Sequence, residues 1–282
     1  MLSIKEAIKN ISQKLTTISK TPRLDAELLL EYILKKSRAD LFAYPEIQLI
    51  SSQQKTLSAY VKRRLKGEPI AYILGQKEFW SLNLKVISDV LIPRPETEML
   101  VEWILKNLPK DAKLRIADLG TGSGAVALAI AVERPYWTID ASDNSQTALK
   151  IAEINAKQHE IKNCNFYHGE WCQALPRRDY HAIVGNPPYI SDNDQHLQQL
   201  KHEPREALAA GSDGLSAIKI IIHEARSYLV DGGWLLLEHG YDQAEKIMTL
   251  LQAAGYREIA DRRDLAGLSR MVAARRGRRI PV

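Results

Sequence analysis

The sequence predicts an α/β fold in which a mostly parallel sheet is covered by helices on both faces and preceded by a small helical domain. From Leu114 onward, strand-like and helix-like segments alternate, and that alternation requires a buried, mostly parallel sheet. Before residue 76 only helical patterns occur. A glycine-rich loop follows the first strand of the alternating part, at the position where open α/β sheets bind ligands.

The N-terminal part predicts a bundle of helices. Apolar residues recur at helical spacing from Ile4 to Leu15, in a second segment opened by Thr21 and Pro22, and in a third over Ser51–Lys66. Together these segments predict a helical domain over residues 1–76.

A linker separates this domain from the alternating part. Apolar and polar side chains alternate over Glu78–Val90, which predicts a β-hairpin. The proline-punctuated connector Ile92–Glu98 follows, and its acidic residues begin a helix predicted over Met99–Leu108. We therefore place the linker at residues 77–98 and the α/β domain at residues 99–282.

The alternating part supplies the elements of the sheet. Strands are predicted at Leu114–Leu119, Tyr136–Ser142, Asn165–His168, His181–Gly185, Trp234–His239, Tyr256–Asp261 and Met271–Arg275. Helices are predicted at Ala125–Glu133, Ser145–Gln158, Leu215–Leu229 and Gln243–Ala253. Because helices separate most of these strands, neighbouring strands are expected to run parallel.

Composition is that of a soluble globular protein. The chain has 282 residues, of which 45% are hydrophobic and 26% are charged, enough for one large domain or for a medium domain with a small one. Its two cysteines, Cys164 and Cys172, are too few for a disulfide framework or a zinc site. We expect no bound metal and a reducing, cytoplasmic location.

No membrane segment is predicted. Residues 1–14 are charged and amphipathic, without the apolar core of a signal peptide, and no apolar run approaches the ~20 residues that span a bilayer. The net charge of +5 includes a basic tail formed by Arg275, Arg276, Arg278 and Arg279. Such a tail could contact RNA, but we expect a solvated terminus.

The glycine-rich loop predicts a nucleoside-binding site. Between the strand that ends at Leu119 and the next helix, the loop contains Gly120, Thr121, Gly122, Ser123 and Gly124. Glycines allow a tight turn and a close approach of backbone to ligand at a helix N-terminus. Asp143 lies about 20 residues further on, where a carboxylate can accept both hydroxyls of a ribose. The loop alone leaves NAD and S-adenosylmethionine equally open.

Further features favour S-adenosylmethionine. Asp118, just before the loop, is placed to meet an amino-acid cation, which NAD lacks. Trp171, after the third strand, offers an indole that could pack on adenine, although an ordinary core aromatic would explain it equally well. Asp143 could instead be the N-cap of the following helix. We assign all three residues and the loop to the cofactor site.

The sequence Asn-Pro-Pro-Tyr predicts the acceptor site. Asn186, Pro187, Pro188 and Tyr189 follow the apolar run Ala182–Val184, so they lie past the carboxyl end of a buried strand. The Asn186 side-chain oxygen and the Pro187 carbonyl can accept the two hydrogens of a planar NH₂ group, and the Tyr189 ring offers an apolar wall. Asn and Pro also form ordinary turns, but the position after a strand favours a site.

This turn indicates the chemistry of methyl transfer to nitrogen. Asn186, Pro187 and Tyr189 are the predicted catalytic residues, and all four residues of the turn are the predicted substrate site. An amide nitrogen is a poor nucleophile because its lone pair is delocalised into the carbonyl. No strong base is evident near the turn, so we expect catalysis by positioning and charge stabilisation.

These motifs are similar to those of a known family. The chain resembles the peptide chain release factor N5-glutamine methyltransferases, the PrmC/HemK family, over almost its whole length. The resemblance rests on the helical N-terminal part and on Ile92–Glu98, Asp118–Gly124, Asn186–Ile190 and Leu236–Gly240. The Asn-Pro-Pro-Tyr turn is shared with enzymes that methylate amino groups of DNA and RNA, whereas the connector and the helical domain are more specific to the family.

The resemblance implies a fold, a reaction and a partner. The fold would be a seven-stranded, Rossmann-like class I methyltransferase sheet with its last strand antiparallel, joined by the hairpin to a helical domain that helps to receive the substrate protein. S-adenosyl-L-methionine would methylate the glutamine side-chain nitrogen in the Gly-Gly-Gln motif of bacterial class 1 release factors, leaving S-adenosyl-L-homocysteine. By position, Gly120–Gly124, Asp143 and Trp171 would bind the cofactor, Asn186–Tyr189 would hold the glutamine, and Asn186 would touch both.

The sequence departs from the family pattern at two places. Gly185 stands where close relatives are expected to have serine. The segment Gln198–Pro204 looks shorter than usual and carries His202 where an aromatic residue is common. Because that segment borders the acceptor site, it bears on substrate affinity more than on the chemistry.

Three other functions fit parts of the sequence. A nucleic-acid adenine or guanine amino-methyltransferase would use the same chemistry on a flipped base, but no separate target-recognition domain is visible. A non-catalytic nucleotide-binding module would be favoured by a degenerate acceptor motif, and this motif is intact. An NAD-dependent oxidoreductase would need an acid–base pair that the sequence does not offer. We expect a monomer with release factors as partners, no nucleic-acid substrate and no membrane.

We expect structural rather than catalytic roles for four other side chains of reactive types. Glu238 and His239 resemble a catalytic pair, but we expect a structural role at a strand end. His223 lies in a helical pattern, and Cys172 is expected to be buried as a small hydrophobic residue.

Overall fold

The computed structural model describes residues 2–277, so Arg278 and Arg279 of the basic tail lie outside the described residues. The chain divides into two compact units at the bond between Gln76 and Lys77. We call residues 1–76 the helical unit and residues 77–282 the sheet unit. Each unit has its own apolar core.

The helical unit contains three of the predicted helices and two shorter ones. Its helices are α1 (Ile4–Leu15), α2 (Pro22–Leu34), α3 (Arg38–Ala43), α4 (Ser51–Leu65) and α5 (Ile70–Leu74). The helix α1 begins at a capping box, in which Ser3 Oγ accepts from the Glu6 amide and the Glu6 carboxylate accepts from the Ser3 amide. The sequence does not predict α3 and α5 because helices of one or two turns show too little periodicity.

A two-stranded hairpin comes next in the chain. It pairs β1 (Gln76–Phe79) with β2 (Leu82–Lys85). Trp80 and Ser81 form its turn with φ angles of 51° and 60°, the left-handed conformation that suits a two-residue hairpin turn. The strands end at Lys85, so the hairpin is shorter than the predicted Glu78–Val90.

The sheet unit alternates strands and helices as predicted. Its further strands are β3 (Arg115–Leu119), β4 (Thr138–Asp143), β5 (Cys164–His168), β6 (Tyr180–Gly185), β7 (Leu229–Glu238), β8 (Tyr256–Arg263) and β9 (Ser269–Arg276). Its helices are α6 (Glu98–Asn107), α7 (Ala125–Glu133), α8 (Gln146–Gln158), α9 (His196–Gln199), α10 (Ser216–Tyr228) and α11 (Ala244–Ala253). Short 3₁₀ helices cover Pro95–Thr97, Trp171–Ala174 and Arg205–Ala207.

Seven strands form one sheet in the order β5-β4-β3-β6-β7-β9-β8. The pairs among β3, β4, β5, β6 and β7 are parallel, whereas β9 runs antiparallel to β7 and β8. Successive residues of β3 face opposite cores: Ile116 packs with α6 and α7, and Ala117 packs with α10 and α11. The sheet is therefore covered on both faces. Within residues 2–277, each helix is too short or too polar to cross a bilayer.

One strand begins earlier than the sequence predicts. The strand β7 starts at Leu229 rather than at Trp234, and its pairing with β6 shifts register between Tyr180 and Ala182. Gly232, with φ of +78°, lies in this irregular stretch. A sequence with two adjacent glycines is typical of a turn, but in this structure the two glycines accommodate a bulge inside the strand.

Candidate active site

Four loops that carry the predicted site residues leave the same edge of the sheet. From β3 the chain winds outward through β4 to β5, and then crosses to β6 on the other side of β3. The winding direction therefore reverses between β3 and β6. Open α/β sheets bind their ligands at such a switch point, beyond the carboxyl ends of the strands.

These loops enclose two adjoining cavities. The larger, of about 680 Å³, is lined among others by Gly120, Gly122, Asp143, Trp171, Asn186, Pro187 and Pro188. The smaller, of about 420 Å³, is lined among others by Asp118, Thr121 and Ser123 and shares Gly120, Gly122 and Asn186 with the larger. Of the predicted site residues, Gly124 and Tyr189 line neither cavity: Gly124 begins α7, and Tyr189 packs against the core.

The glycine loop is shaped for a close approach of backbone to ligand. Gly120 has φ of +69°, and a Cβ at this position would lie 3.4 Å from the Trp171 ring. Gly124 has φ of +84°, and a Cβ there would lie 3.0 Å from Leu128. Both positions therefore favour glycine for conformational reasons, and Gly124 for close packing as well.

Asp118 is a buried carboxylate at the base of this loop. Its Oδ2 accepts hydrogen bonds from the Thr121 hydroxyl at 2.7 Å and from the Ala127 amide at 3.2 Å. Burial raises the pKa of Asp118 to about 6, with a smaller contribution from the nearby charge of Asp143, while the two donors oppose the shift. The carboxylate thus holds the loop and α7 together while facing the smaller cavity.

Asp143 closes the loop from the end of β4. Its Oδ2 accepts from the Gly122 amide and its Oδ1 from the Ser145 amide, both at 2.8 Å. Burial raises the pKa of Asp143. The N-cap of α8 is Ser145, whose hydroxyl accepts from the Ala148 amide, so the alternative interpretation of Asp143 as the helix cap is wrong.

Trp171 combines a core contact with a position in the wall of the cleft, and its packing on adenine stays a prediction. It begins a 3₁₀ helix, packs against a core cluster, and also lines the larger cavity. One part of the indole is therefore a core contact, and another is a wall of the cleft.

The Asn186 amide has a defined orientation. Its Nδ2 donates to the Thr97 hydroxyl at 3.2 Å. The hydrogen bonds among the described residues leave the Asn186 Oδ1 and the Pro187 carbonyl unused. The turn thus has two unused acceptors beside the larger cavity.

Two contacts hold the turn from behind. Gln243 donates through Nε2 to the Tyr189 carbonyl at 2.9 Å, and its Oε1 accepts from the Gly240 amide. A Cβ at Gly214 would collide with the Tyr189 carbonyl. The backbone of Gly214 therefore packs directly against the turn, and its glycine cannot be replaced without moving Tyr189.

Glu238 lies behind the acceptor turn at the end of β7 and lines neither cavity, so the structural role predicted for it stays a prediction. It is buried, and its Oε1 accepts from the Tyr189 hydroxyl at 3.3 Å. Burial raises the pKa of Glu238 to about 7, while the Thr97 and Tyr189 hydroxyls lower it. His239 instead contacts the Gly240 carbonyl through Nδ1, and burial lowers its pKa. The two residues therefore do not act as a pair.

The connector and the segment Gln198–Pro204 are joined by a buried carboxylate. Glu203 forms an ion pair with Arg94 and accepts from the Ile92 amide at 3.2 Å. The next residues along the chain, Pro204, Glu206 and Ala207, line the larger cavity. This segment thus fixes the connector that carries Thr97.

Gly185 packs too closely for an unstrained side chain. A Cβ at this position would lie 3.2 Å from the Leu119 carbonyl oxygen. A serine here would require β3 and β6 to separate slightly.

Several site residues have no signal in the sequence. Thr97 and Gln243 reach the turn from segments that are distant in the chain, and Glu203 holds the connector that carries Thr97. The connector Ile92–Glu98 stands out as a motif, but its sequence suggests only the start of a helix. A search for hydrogen-bonding residues within family-specific motifs could have found Thr97.

Comparisons with known proteins identify the family. Residues 6–75 match the PrmC N-terminal domain, and residues 97–214 match the methyltransferase small domain. The chain is 92% identical over 277 residues to the release factor glutamine methyltransferase of Coxiella burnetii, covering 98% of this chain and 100% of that protein. The chain belongs to the release factor glutamine methyltransferase family. It is 43% identical over 274 residues to the Escherichia coli K12 member, covering 96% and 97% of the two chains.

A solved structure supports the fold of this release factor glutamine methyltransferase family member. A methyltransferase from Pyrococcus furiosus aligns with a TM-score of 0.54 and 15% identity, covering 81% of this chain and 100% of that one. The predicted seven-stranded class I methyltransferase sheet, with its antiparallel strand β9, is confirmed. This fold implies the use of S-adenosylmethionine.

The residues at the switch point fit that cofactor. The glycine loop leaves space at Gly122, where a Cβ would meet nothing within 4 Å. Asp118 and Asp143 supply carboxylates for an ammonium group and for hydroxyls, and Trp171 supplies an aromatic wall. The donor set therefore matches a nucleoside that carries an amino-acid cation.

Proposed function

We propose that this protein transfers a methyl group from S-adenosyl-L-methionine to the side-chain amide nitrogen of the glutamine in the Gly-Gly-Gln motif of class 1 peptide chain release factors. Membership of the release factor glutamine methyltransferase family supports this substrate. The orientation of the Asn186 amide carries the proposal, because Nδ2 is bound by Thr97 and Oδ1 remains available as an acceptor.

We assign the parts of the chain accordingly. Residues 1–76 form a helical domain that helps to receive the release factor, residues 77–98 are a linker, and residues 99–282 are the methyltransferase domain. The protein acts as a monomer in the cytoplasm. The matches of residues 6–75 and 97–214 to separate domain families support the division into domains.

The cofactor is held by the loops at the switch point. Asp118 binds the amino-acid cation, Asp143 accepts from the ribose hydroxyls, and Trp171 packs on the adenine ring. The loop from Gly120 to Gly124, with Thr121, Gly122 and Ser123, supplies backbone close to the ligand and the N-terminus of α7. When bound, S-adenosyl-L-methionine supplies an electrophilic methyl group and leaves as S-adenosyl-L-homocysteine.

The acceptor turn positions the glutamine amide. The Asn186 Oδ1 and the Pro187 carbonyl each accept one hydrogen of the NH₂ group, which holds the nitrogen in plane and in line with the methyl donor. Pro188 and Tyr189 shape the wall beside it. Such positioning can lower a barrier by ~7–11 kcal/mol.

The same acceptors stabilise the charge that develops on nitrogen. As the nitrogen–carbon bond forms, the nitrogen becomes more positive, and the two oxygens strengthen their hydrogen bonds to it. Asn186 is neutral and does not remove a proton, so the amide proton leaves to water during or after the transfer. Asn186 lines both cavities, which supports its proposed contact with both cofactor and substrate.

A labelling experiment tests the proposed function. The pure protein is incubated with methyl-labelled S-adenosylmethionine and, in separate reactions, with unmethylated class 1 release factor, DNA or ribosomal RNA. We expect label on the release factor only, and none on a matched release factor whose Gly-Gly-Gln glutamine is replaced by alanine. Label on nucleic acid alone would overturn the substrate, and absence of label from every acceptor would overturn the activity.

A further inference from the structure

A buried glutamine at the start of α11 holds the backbone of the acceptor turn. Gln243 is 8% exposed. Its Nε2 donates to the Tyr189 carbonyl at 2.9 Å and to the Gly214 carbonyl at 3.3 Å, and its Oε1 accepts from the Gly240 amide at 2.9 Å. Backbone carbonyls only accept hydrogen bonds, and backbone amides only donate them. The side chain therefore has a single orientation that satisfies all three partners.

The backbone of the acceptor turn has few partners apart from Gln243. Pro187 and Pro188 have no N–H group, so neither can donate a backbone hydrogen bond. Among the hydrogen bonds of the described residues, the one that reaches the backbone of residues 187–189 is the bond from Gln243. Before the turn, the sheet holds Gly185 between β3 and β7. The position of the turn thus depends on the sheet at one end and on Gln243 at the other.

The same glutamine joins the turn to a second wall of the larger cavity. Immediately after the turn, the Ile190 amide donates to the Leu208 carbonyl, and the Ile190 carbonyl accepts from the Ala210 amide, both at 2.9 Å. This pair of bonds ties the turn to residues 204–214, part of which lines the larger cavity. Through the Gly214 carbonyl, the glutamine holds the far end of that segment as well.

The side chain of Gln243 does not serve the helix that carries it. Gln243 is the N-cap residue of α11, but its side chain makes no capping hydrogen bond to the first turn of the helix. Its Oε1 instead bonds back to Gly240, three residues earlier, and its Nε2 reaches the turn at Tyr189. Removal of the side-chain amide should therefore act on the turn before it acts on α11.

We propose that Gln243 is a positioning residue that fixes the Tyr189 carbonyl and thereby places the Pro187 carbonyl and the Asn186 side chain for methyl transfer. The inference rests on the proposed function, in which those two acceptors hold the glutamine amide of the substrate. Gln243 lines neither cavity, so it acts through the turn and does not touch the reacting atoms. A misplacement of ~1 Å caused at a distance can slow a reaction by about 100-fold.

The test replaces Gln243 by methionine, which is unbranched and similar in length but cannot make these hydrogen bonds. The full-length proteins are given release factor and labelled S-adenosylmethionine, and kcat and the KM for release factor are measured. Calorimetry gives the Kd for the cofactor and the number of cofactor sites, and the thermal unfolding midpoint is recorded. We expect Gln243→Met to lose about 10-fold to 100-fold in kcat per cofactor site. The KM and the Kd should change by no more than about threefold.

Gln252→Met is the matched control. Gln252 is an exposed residue of the same helix, so this variant should keep the kcat of the wild type. Because kcat is expressed per cofactor site, a loss of folded protein alone leaves it unchanged. A structural role therefore lowers the unfolding midpoint and the number of sites, whereas a positioning role lowers the rate at each site.

A second variant covers the case in which methionine destabilises the fold. Gln243→Glu keeps an oxygen for the Gly240 amide, but an ionised carboxylate cannot donate to the Tyr189 carbonyl. At about pH 8, its kcat per cofactor site should fall by about 10-fold or more, and Gln252→Glu controls for the added charge. A kcat per cofactor site equal to that of the wild type in either Gln243 variant would overturn the proposal. If the wild type itself does not label the release factor, the proposed function fails instead.

Discussion

Glu27 of the helical unit and Glu238 of the sheet unit are both buried carboxylates, but their partners differ. Glu27 forms ion pairs with Arg23 at 2.8 Å and with Arg38 at 2.6 Å. Glu238 accepts a hydrogen bond from the Tyr189 hydroxyl at 3.3 Å, and within the described residues it has no ion pair. Glu27 therefore has cationic partners, whereas Glu238 has a neutral one. Other buried carboxylates of the sheet unit, such as Glu203, do pair with an arginine.

The contrast extends to a second pair of residues. In the helical unit, Asp25 pairs with Arg64 at 2.8 Å. In the sheet unit, Asp118 is held by a hydroxyl and a backbone amide, and burial raises its pKa to about 6. A carboxylate paired with arginine stabilises the fold, whereas one left with neutral donors retains capacity to bind a cationic ligand or to orient a neighbour.

The largest change in stability is expected when the two arginines that pair with Glu27 are removed. The double change Arg23→Ala and Arg38→Ala leaves a buried carboxylate without a cation, which should cost about 3 kcal/mol in the free energy of unfolding. Urea denaturation measures it. The control changes two exposed lysines of α4, Lys55→Ala and Lys62→Ala. Its free energy of unfolding should differ from that of the wild type by no more than about 0.5 kcal/mol per site. Equal losses in the two proteins would show that the ion pairs of Glu27 do not stabilise the helical unit.

The next effect concerns Asp118 and the cofactor. In Asp118→Asn the amide oxygen can still accept from Thr121 and Ala127, but the charge is lost. We expect S-adenosylmethionine binding, measured by calorimetry at about pH 8, to weaken by ~1.5–3 kcal/mol, with little change in stability. Asp111→Asn, at an exposed position, is the control and should bind normally. A Kd for Asp118→Asn equal to that of the control would refute the role of Asp118 in binding the cation.

The smallest effect is the pH dependence of stability at Glu238. Burial raises the pKa of Glu238 from 4.5 to about 7, so the folded protein binds this proton more tightly than the unfolded chain does. Its contribution to stability is therefore greatest at low pH and declines as pH rises from about 4.5 to about 7. In Glu238→Gln this side chain cannot ionise. Between about pH 5 and about pH 8, the free energy of unfolding of the variant should therefore fall by about 2 kcal/mol less than that of the wild type. Parallel stability curves for the two proteins would contradict this account.

Most of the sheet could be predicted from the sequence because its strands are apolar runs separated by amphipathic helices. The helix α7, for example, covers the predicted Ala125–Glu133. The first residues of β7 could not be predicted, since Gly232 and Gly233 have the local signature of a turn. Their strand conformation is set by pairing with β6, which is a tertiary effect.

The site residues also divide into those that the sequence predicts and those that it does not. Residues of the glycine loop and of the Asn-Pro-Pro-Tyr turn lie next to one another in the chain, so their motifs are visible in the sequence. Thr97 and Glu238 lie 89 and 52 residues from Asn186 in opposite directions along the chain, and only folding brings them to the turn. Their contacts with Asn186 and Tyr189 are tertiary, and no spacing in the sequence reveals them.

The most direct test of the central claim is the single-turnover rate of Asn186→Ala with release factor, measured beside its Kd for S-adenosylmethionine. If the Asn186 oxygen holds the glutamine amide, the rate should fall by about 100-fold or more while the Kd changes far less. A rate equal to that of the wild type would contradict the account.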